Sequence, residues 1–194
     1  MKNTIECLTK AFIGESQARN RYTFYASSAR KEGYEQIAEV FTITADNENE
    51  HAEWFFKYLN TLKAKSGNSF SEVSVEADAP VIWGKTMENL KAAIAGENME
   101  HSKLYPEFAQ IAGSEGFPDI AARFRSIAVA EQHHEERFGK LLKELEAGTL
   151  FNKKEPVWWF CRKCGYMHFG NQPPEKCPSC DHERSYYQVK SEIY

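Results

Sequence analysis

Glu48 and His51 stand three residues apart, as do Glu131 and His134, and the second pair follows the first by 83 positions. On a helix that spacing puts a carboxylate and an imidazole one turn apart on the same face. A bundle that presents Glu-x-x-His from two helices, with a glutamate from each of the other two, holds a pair of iron or manganese ions. The repetition extends past the ligand types, because Glu53, Phe55, Lys57 and Leu59 return in the same register as Glu136, Phe138, Lys140 and Leu142. The chemistry first indicated is that of a two-metal carboxylate centre.

Such a centre needs four helices to position it. Glu32-Gly33-Tyr34 with Ile37, Ala38 and Phe41 returns as Glu115-Gly116-Phe117 with Ile120, Ala121 and Phe124, and Gly14-Glu15 returns as Gly96-Glu97. A helical hairpin has been duplicated. Ile37, Phe41, Thr44, Glu48, His51, Phe55, Tyr58 and Leu62 step by four and three, and so do Ile120, Phe124, Ile127, Glu131, His134, Phe138, Leu141 and Leu145. This is the period of a helix with one buried face. Residues 84–112 keep the rhythm, and Leu8, Phe12, Glu15, Tyr22 and Ala26 mark the first helix. Gly33 and Gly116 fall where the hairpins must turn. Residues 64–83, with Ser66-Gly67-Asn68-Ser69 and Pro80, lack the period. The expected fold is an all-α, ferritin-like four-helix bundle with one long crossover over residues 1–147, then a linker at 148–156 and a small β/loop domain over 157–194.

Glu15, Glu48, Glu97 and Glu131 all fall on inward positions, where an unpaired charge costs several kcal/mol. Two divalent ions match four carboxylates in charge, with His51 and His134 as neutral donors. The duplication breaks within this layer. Glu15 maps to Glu97 with an offset of 82, but Tyr22 maps to Tyr105 with an offset of 83, so one residue has been gained between them. An insertion within a helix is absorbed as a π-bulge, and here it is expected to turn Glu100 inward. A fifth carboxylate suits a pair of ions whose charge rises on oxidation, and the harder oxygen donor favours the ferric state. Glu100 is therefore expected to trade places with His51 on one iron. His101 is read as supporting rather than ligating. Tyr22 and Tyr105 are candidates to hydrogen-bond ligand carboxylates or deliver protons, and serve equally well as core rings.

Cys161, Cys164, Cys177 and Cys180 form two Cys-x-x-Cys knuckles of the kind that build a four-sulfur tetrahedral site. Spacing alone fits a structural zinc ribbon as well as a single iron. The fifth cysteine, Cys7, reads as a small core residue. A chain of 194 residues with 42% hydrophobic content can bury a substantial core, and a net charge of −4 without basic runs argues against nucleic acid. No apolar run is long enough to span a membrane and no export leader is visible, so a soluble, cytoplasmic protein is expected.

The combination closely resembles the rubrerythrin family: Gly14-Glu15-Ser16-Gln17-Ala18, two Glu-x-x-His motifs, Gly96-Glu97-Asn98-Met99-Glu100, then Cys161-x-x-Cys164-Gly165-Tyr166 and Cys177-Pro178-x-Cys180. The resemblance spans essentially the whole chain. It implies a non-haem di-iron peroxidase that reduces hydrogen peroxide to water and protects against oxidative stress. It further implies a rubredoxin-like Fe(Cys)4 centre passing electrons inward, three irons per chain, and an external donor such as rubredoxin or an NADH-dependent reductase. By motif, Glu15, Glu48, His51, Glu97, Glu100, Glu131 and His134 match the di-iron ligands, with the Glu100/His51 exchange included. Cys161, Cys164, Cys177 and Cys180 match the ligands of the third iron. A head-to-tail homodimer, placing each tail near its partner's di-iron site, is also implied. The competing readings are a ferroxidase or iron-storage protein, a di-iron oxygenase and a purely structural zinc-ribbon protein. The first leaves the tail without a purpose, the second requires a substrate cavity, and the third leaves the bundle carboxylates unexplained.

Overall fold

Gly33 and Gly116 adopt φ of 82° and 83° and close two helical hairpins in the same way. Tyr34 N–H bonds Ala29 C=O and Gly33 N–H bonds Arg30 C=O; Phe117 and Gly116 repeat the pair on Ala112 and Gly113. The left-handed conformation that completes this cap is open to glycine without steric cost. In the computed structural model, which describes residues 1–66 and 70–191, the first hairpin comprises α1 (Lys2–Lys31) and α2 (Glu35–Ser66). The second comprises α3 (Thr86–Met99), a π turn (Glu100–Leu104), α4 (Tyr105–Ser114) and α5 (Pro118–Glu146). The π turn stands at the one-residue insertion, so α3 and α4 are two parts of one bundle helix. Gly67, Asn68 and Ser69 of the non-periodic segment lie outside the described residues.

Duplicated residues pack across the two hairpins. Phe41 meets Phe138 at 4.9 Å between ring centroids, and its counterpart Phe124 meets Phe55 at 5.1 Å. Tyr22 caps the first pair and Tyr105 the second. Both hairpins thus contribute to each apolar cluster. One cluster is built around Leu8, Phe55, Tyr105 and Phe124, the other around Tyr22, Ile37, Phe41 and Phe138. Between them lies a polar layer of Glu15, Glu48, Glu97, Glu131 and His134, all buried. The crossover runs back along α1, where Tyr25 donates its hydroxyl to Ile82 C=O at 2.6 Å. Asn89 then bonds both N–H and C=O of Gly84 as α3 begins.

Gly148, at φ 66°, ends α5. The stretch expected as a linker is packed rather than free: Leu150 is buried in the bundle's core, and Phe151 stacks on Tyr34 with rings 11° from parallel. The C-terminal unit is a three-stranded antiparallel sheet in the order β2 (Met167–Gly170), β1 (Val157–Cys161), β3 (Tyr187–Val189). Trp159, Cys161, Cys177 and Tyr187 form its small core. Arg162 docks the unit on the bundle through an ion pair with Glu39 of α2. Among the described residues, no helix is long and apolar enough to cross a membrane.

Candidate metal centres

In the buried layer, each shared carboxylate divides its two oxygens between the two histidines. Glu131 Oε1 lies 3.0 Å from His51 Nδ1 and Oε2 lies 2.8 Å from His134 Nδ1. Glu48 does the same, with Oε2 at 3.0 Å from His51 and Oε1 at 3.2 Å from His134. Glu15 approaches His51 at 3.8 Å and Glu97 approaches His134 at 3.6 Å. Two four-donor groups result, Glu15–Glu48–His51–Glu131 and Glu48–Glu97–Glu131–His134, each with donor atoms within 4.8 Å of one another. Glu48 and Glu131 belong to both, as carboxylates bridging two metal ions would.

Several of the donor atoms point inward without completing hydrogen bonds. Glu15 Oε2, Glu48 Oε1, Glu97 Oε2, both oxygens of Glu131 and His134 Nδ1 are buried and unsatisfied. Buried polar atoms are paired as a rule, and this many converging on one space fit two cations. Burial pushes Glu15 well above the usual carboxylate range, with Glu131 and Glu48 adding to the effect. Glu97 is raised to about 8, again chiefly by burial. Burial also acts on Glu48, but the His134 and His51 imidazoles beside it outweigh it and lower the pKa. His51 and His134 are pushed the other way, to about 9 and about 12, because the surrounding carboxylates overcome their burial. The layer seeks positive charge, which divalent ions supply. Its donor set of carboxylates and imidazoles suits a di-iron site.

Glu100 comes to the edge of this layer without joining either group. The π turn brings its carboxylate towards α1, where a Cβ on Gly14 would stand 4.0 Å from Glu100 Oε1. Its pKa rises well above the ordinary range through burial, then through Glu97, Glu131 and Glu48. His51, the proposed exchange partner, is in the first group. His101 pairs with Glu135 at 2.5 Å, outside both groups. Tyr22 donates to Glu97, and Tyr105 to Glu15. Cys7 is buried in the apolar core, and desolvation lifts its thiol to about 11.

The four tail cysteines are brought together as free thiols. Cys161 and Cys180 sulfurs are 3.8 Å apart, and those of Cys164 and Cys177 are 3.6 Å apart. These separations are too long for disulfides. They match the edge of a tetrahedron with metal–sulfur bonds of about 2.3 Å, so the set suits an iron held by four thiolates. Gly165 and Asp181 follow the second cysteine of each knuckle, at φ 78° and 57°. Aspartate performs a turn that glycine performs in the other knuckle, which the sequence pattern did not reveal. Nor did the sequence single out Tyr187. Burial would raise the Cys177 thiol, but the Tyr187 hydroxyl, Ser179 N–H and neighbouring thiols bring it down to about 6.

Comparison with known proteins places both centres in one family. Residues 6–142 match the family described as Rubrerythrin, and residues 159–188 match the rubrerythrin rubredoxin-like domain. A putative rubrerythrin from Methanocaldococcus jannaschii is 56% identical over 100% of this chain and 96% of its own. A solved structure of nigerythrin in a partially reduced state aligns with a TM-score of 0.64 at 29% identity, covering 96% of this chain and 86% of that one. A bacterioferritin from Desulfovibrio desulfuricans, at TM-score 0.66 and 21% identity over 75% of this chain and 81% of that one, shows the ferritin-like fold alone. With its two-metal bundle and its four-cysteine tail, the chain belongs to the rubrerythrin family.

Proposed function

We propose that this protein is a peroxidase that reduces hydrogen peroxide to water in the bundle, with electrons entering through the four-cysteine site. One observation carries the reading: a buried carboxylate–histidine centre and a tetrathiolate centre stand on one chain. A ferroxidase or storage site has no need of the second. Each turnover takes one peroxide, two electrons and two protons and returns two waters. When bound, the metal centres supply those electrons, with the tail's single iron passing them one at a time.

The chain's own residues hold and time the reaction. Glu48 and Glu131, common to both donor groups, would be shared by the two metal ions, with Glu15 and His51 holding one and Glu97 and His134 the other. Glu100, which the π turn carries to the edge of the layer, would replace His51 when the pair is oxidised. Tyr22 and Tyr105 fix Glu97 and Glu15 and stand within the layer as proton donors. Cys164 is the exposed cysteine, the edge at which an external donor such as rubredoxin or an NADH-dependent reductase would dock.

A homodimer arranged head to tail suits the position of the tail. Arg162, next to Cys161, is held at Glu39, which precedes Glu48 by about 13 Å of helix rise. In the head-to-tail dimer implied for the family, each tail would lie near its partner's di-iron site. Function in the cytoplasm, against oxidative stress, completes the reading.

The test is anaerobic stopped-flow absorbance of the reduced, iron-loaded protein against hydrogen peroxide and, separately, dioxygen. Fast oxidation by peroxide and slow oxidation by dioxygen, with the thiolate-to-iron band following in step, are expected. Faster reaction with dioxygen would overturn the peroxidase reading in favour of a ferroxidase or oxygenase.

A further inference from the structure

Tyr187 is fully buried, and its hydroxyl completes no hydrogen bond in the structure. A buried hydroxyl left unpaired costs about 1–3 kcal/mol, so such a group calls for an acceptor. The core around it offers thiol sulfurs. Tyr187 lies opposite Cys161 in the β1–β3 register, and its ring packs with Trp159, Cys161 and Cys177 in the core of the C-terminal unit. Cys177 shares that core with Tyr187, and a pairing of the hydroxyl with its sulfur also accounts for the lowered Cys177 pKa.

We propose that the Tyr187 hydroxyl donates a hydrogen bond to the Cys177 sulfur and so raises the reduction potential of the four-cysteine iron. The inference rests on the assignment of Cys161, Cys164, Cys177 and Cys180 as ligands of that iron.

Backbone N–H groups already serve the sulfurs: Cys164 and Lys163 serve Cys161, Tyr166 serves Cys164, Ser179 serves Cys177 and His182 serves Cys180. These bonds follow from the knuckle backbone and persist whatever the side chains are. The Ser179 hydroxyl also reaches the Cys164 sulfur, but serine and cysteine are both exposed there and water competes. Tyr187 acts from the dry side of the site, where a hydrogen bond is electrostatically stronger. Reduction adds one electron to the iron and four thiolates, taking their net charge from −1 to −2 without making or breaking a bond or moving a proton. A donor on sulfur stabilises the more negative state and favours the reduced form.

The experiment is spectroelectrochemical titration of the thiolate-to-iron band in the iron-loaded full chain, comparing native protein with Tyr187→Phe. Phenylalanine keeps the ring and removes only the hydroxyl. The reduction equilibrium is expected to shift about tenfold towards the oxidised form, about 59 mV for one electron. Val189→Ala disturbs the same small core while leaving the hydroxyl, and is expected to leave the potential in place. An unchanged potential in Tyr187→Phe, or an equal shift in Val189→Ala, would overturn the tuning role while leaving the ligand assignment intact. Native protein with no thiolate-to-iron band after iron loading would overturn both. Should Tyr187→Phe fail to retain iron, a crystal structure of the iron-loaded native protein decides: a hydroxyl directed at Cys177 supports the inference, and one turned away overturns it.

Discussion

Tyr22 on α1 donates its hydroxyl across the bundle to Glu97 on α3 at 2.5 Å, and its duplicate Tyr105 returns the gesture to Glu15. The two bonds exchange under the same pseudo-twofold relation that pairs Phe41 with Phe138 and Phe124 with Phe55. Each tyrosine therefore has two roles that a substitution separates. Its ring fills an apolar cluster, and its hydroxyl holds a carboxylate of the metal layer.

Tyr22→Phe and Tyr105→Phe retain the ring and lose the bond. Both variants are expected to fold with native helix content, while peroxide turnover or iron affinity falls about 10- to 100-fold, as when partners of ligating groups are removed. Steady-state peroxidase assays with iron analysis on the same preparations check this. Native values in both variants would reduce the tyrosines to packing residues.

Glu115 gives a pH-dependent stability that lies away from the metals. Its carboxylate accepts from Thr4 N–H at 2.8 Å and Thr4 Oγ1 at 2.6 Å, and meets the Met1 amine at 2.7 Å, so it ties the start of α1 to the end of α4. Burial acts to raise its pKa, but these partners outweigh burial and bring it to about 2, from an ordinary value of 4.5. A depressed folded pKa means stabilisation present in full above about 4.5 and lost as pH falls towards 2. Glu115→Gln is expected to cost about 1–2 kcal/mol at pH 7, with the difference shrinking as pH is lowered through that window. Urea melts of both proteins at pH 7, 4 and 3 measure it, and a constant difference would refute the linkage.

The two knuckles invite a backbone comparison. At Gly165 an added Cβ would meet open space, so Gly165→Ala carries only the conformational cost of φ 78°, about 1–2 kcal/mol. Asp181→Gly relieves the milder strain that aspartate bears at φ 57° while adding chain entropy to the unfolded state, and is expected to change stability by less than about 1 kcal/mol. Thermal loss of the thiolate-to-iron band in the two variants tests the ordering. An Asp181→Gly change as damaging as Gly165→Ala would mean that the aspartate side chain is itself required.

Asp181 also marks where sequence reading stops. The bundle was legible because its determinants are periodic and repeated: the Glu-x-x-His pairs, the two turn glycines and the extra residue that becomes the π turn each leave a mark on spacing. Asp181 occupies a left-handed position that aspartate only occasionally accepts, so residue type gave no signal there. Glu39 and Arg162 are single charges on separate units, and their pairing follows from how those units dock. Leu150 and Phe151 sit among linker-like polar residues, and only the docked geometry shows that one enters the bundle core and the other stacks on Tyr34. The orphaned Tyr187 hydroxyl is likewise a fact of three-dimensional enclosure.

Docking of the tail at Glu39 leads to the prediction that separates electron flow within a chain from flow between chains. Glu131→Ala removes a donor shared by both four-donor groups and is expected to abolish turnover, leaving the tail intact. Cys177→Ala removes a sulfur of the tail and leaves the bundle intact. Each variant, as the proposed homodimer, should therefore be inactive in a donor-linked assay. After subunit exchange, random pairing makes half of the dimers mixed, and each mixed dimer has one intact bundle beside its partner's intact tail. If electrons cross between copies, the mixture recovers about a quarter of native turnover. If each tail serves its own bundle, no subunit in the mixture is complete and activity stays at background. Recovery would thus place the working route across the dimer, whereas background activity in verified mixed dimers would assign it to the contacts from Arg162 through Glu39 along α2.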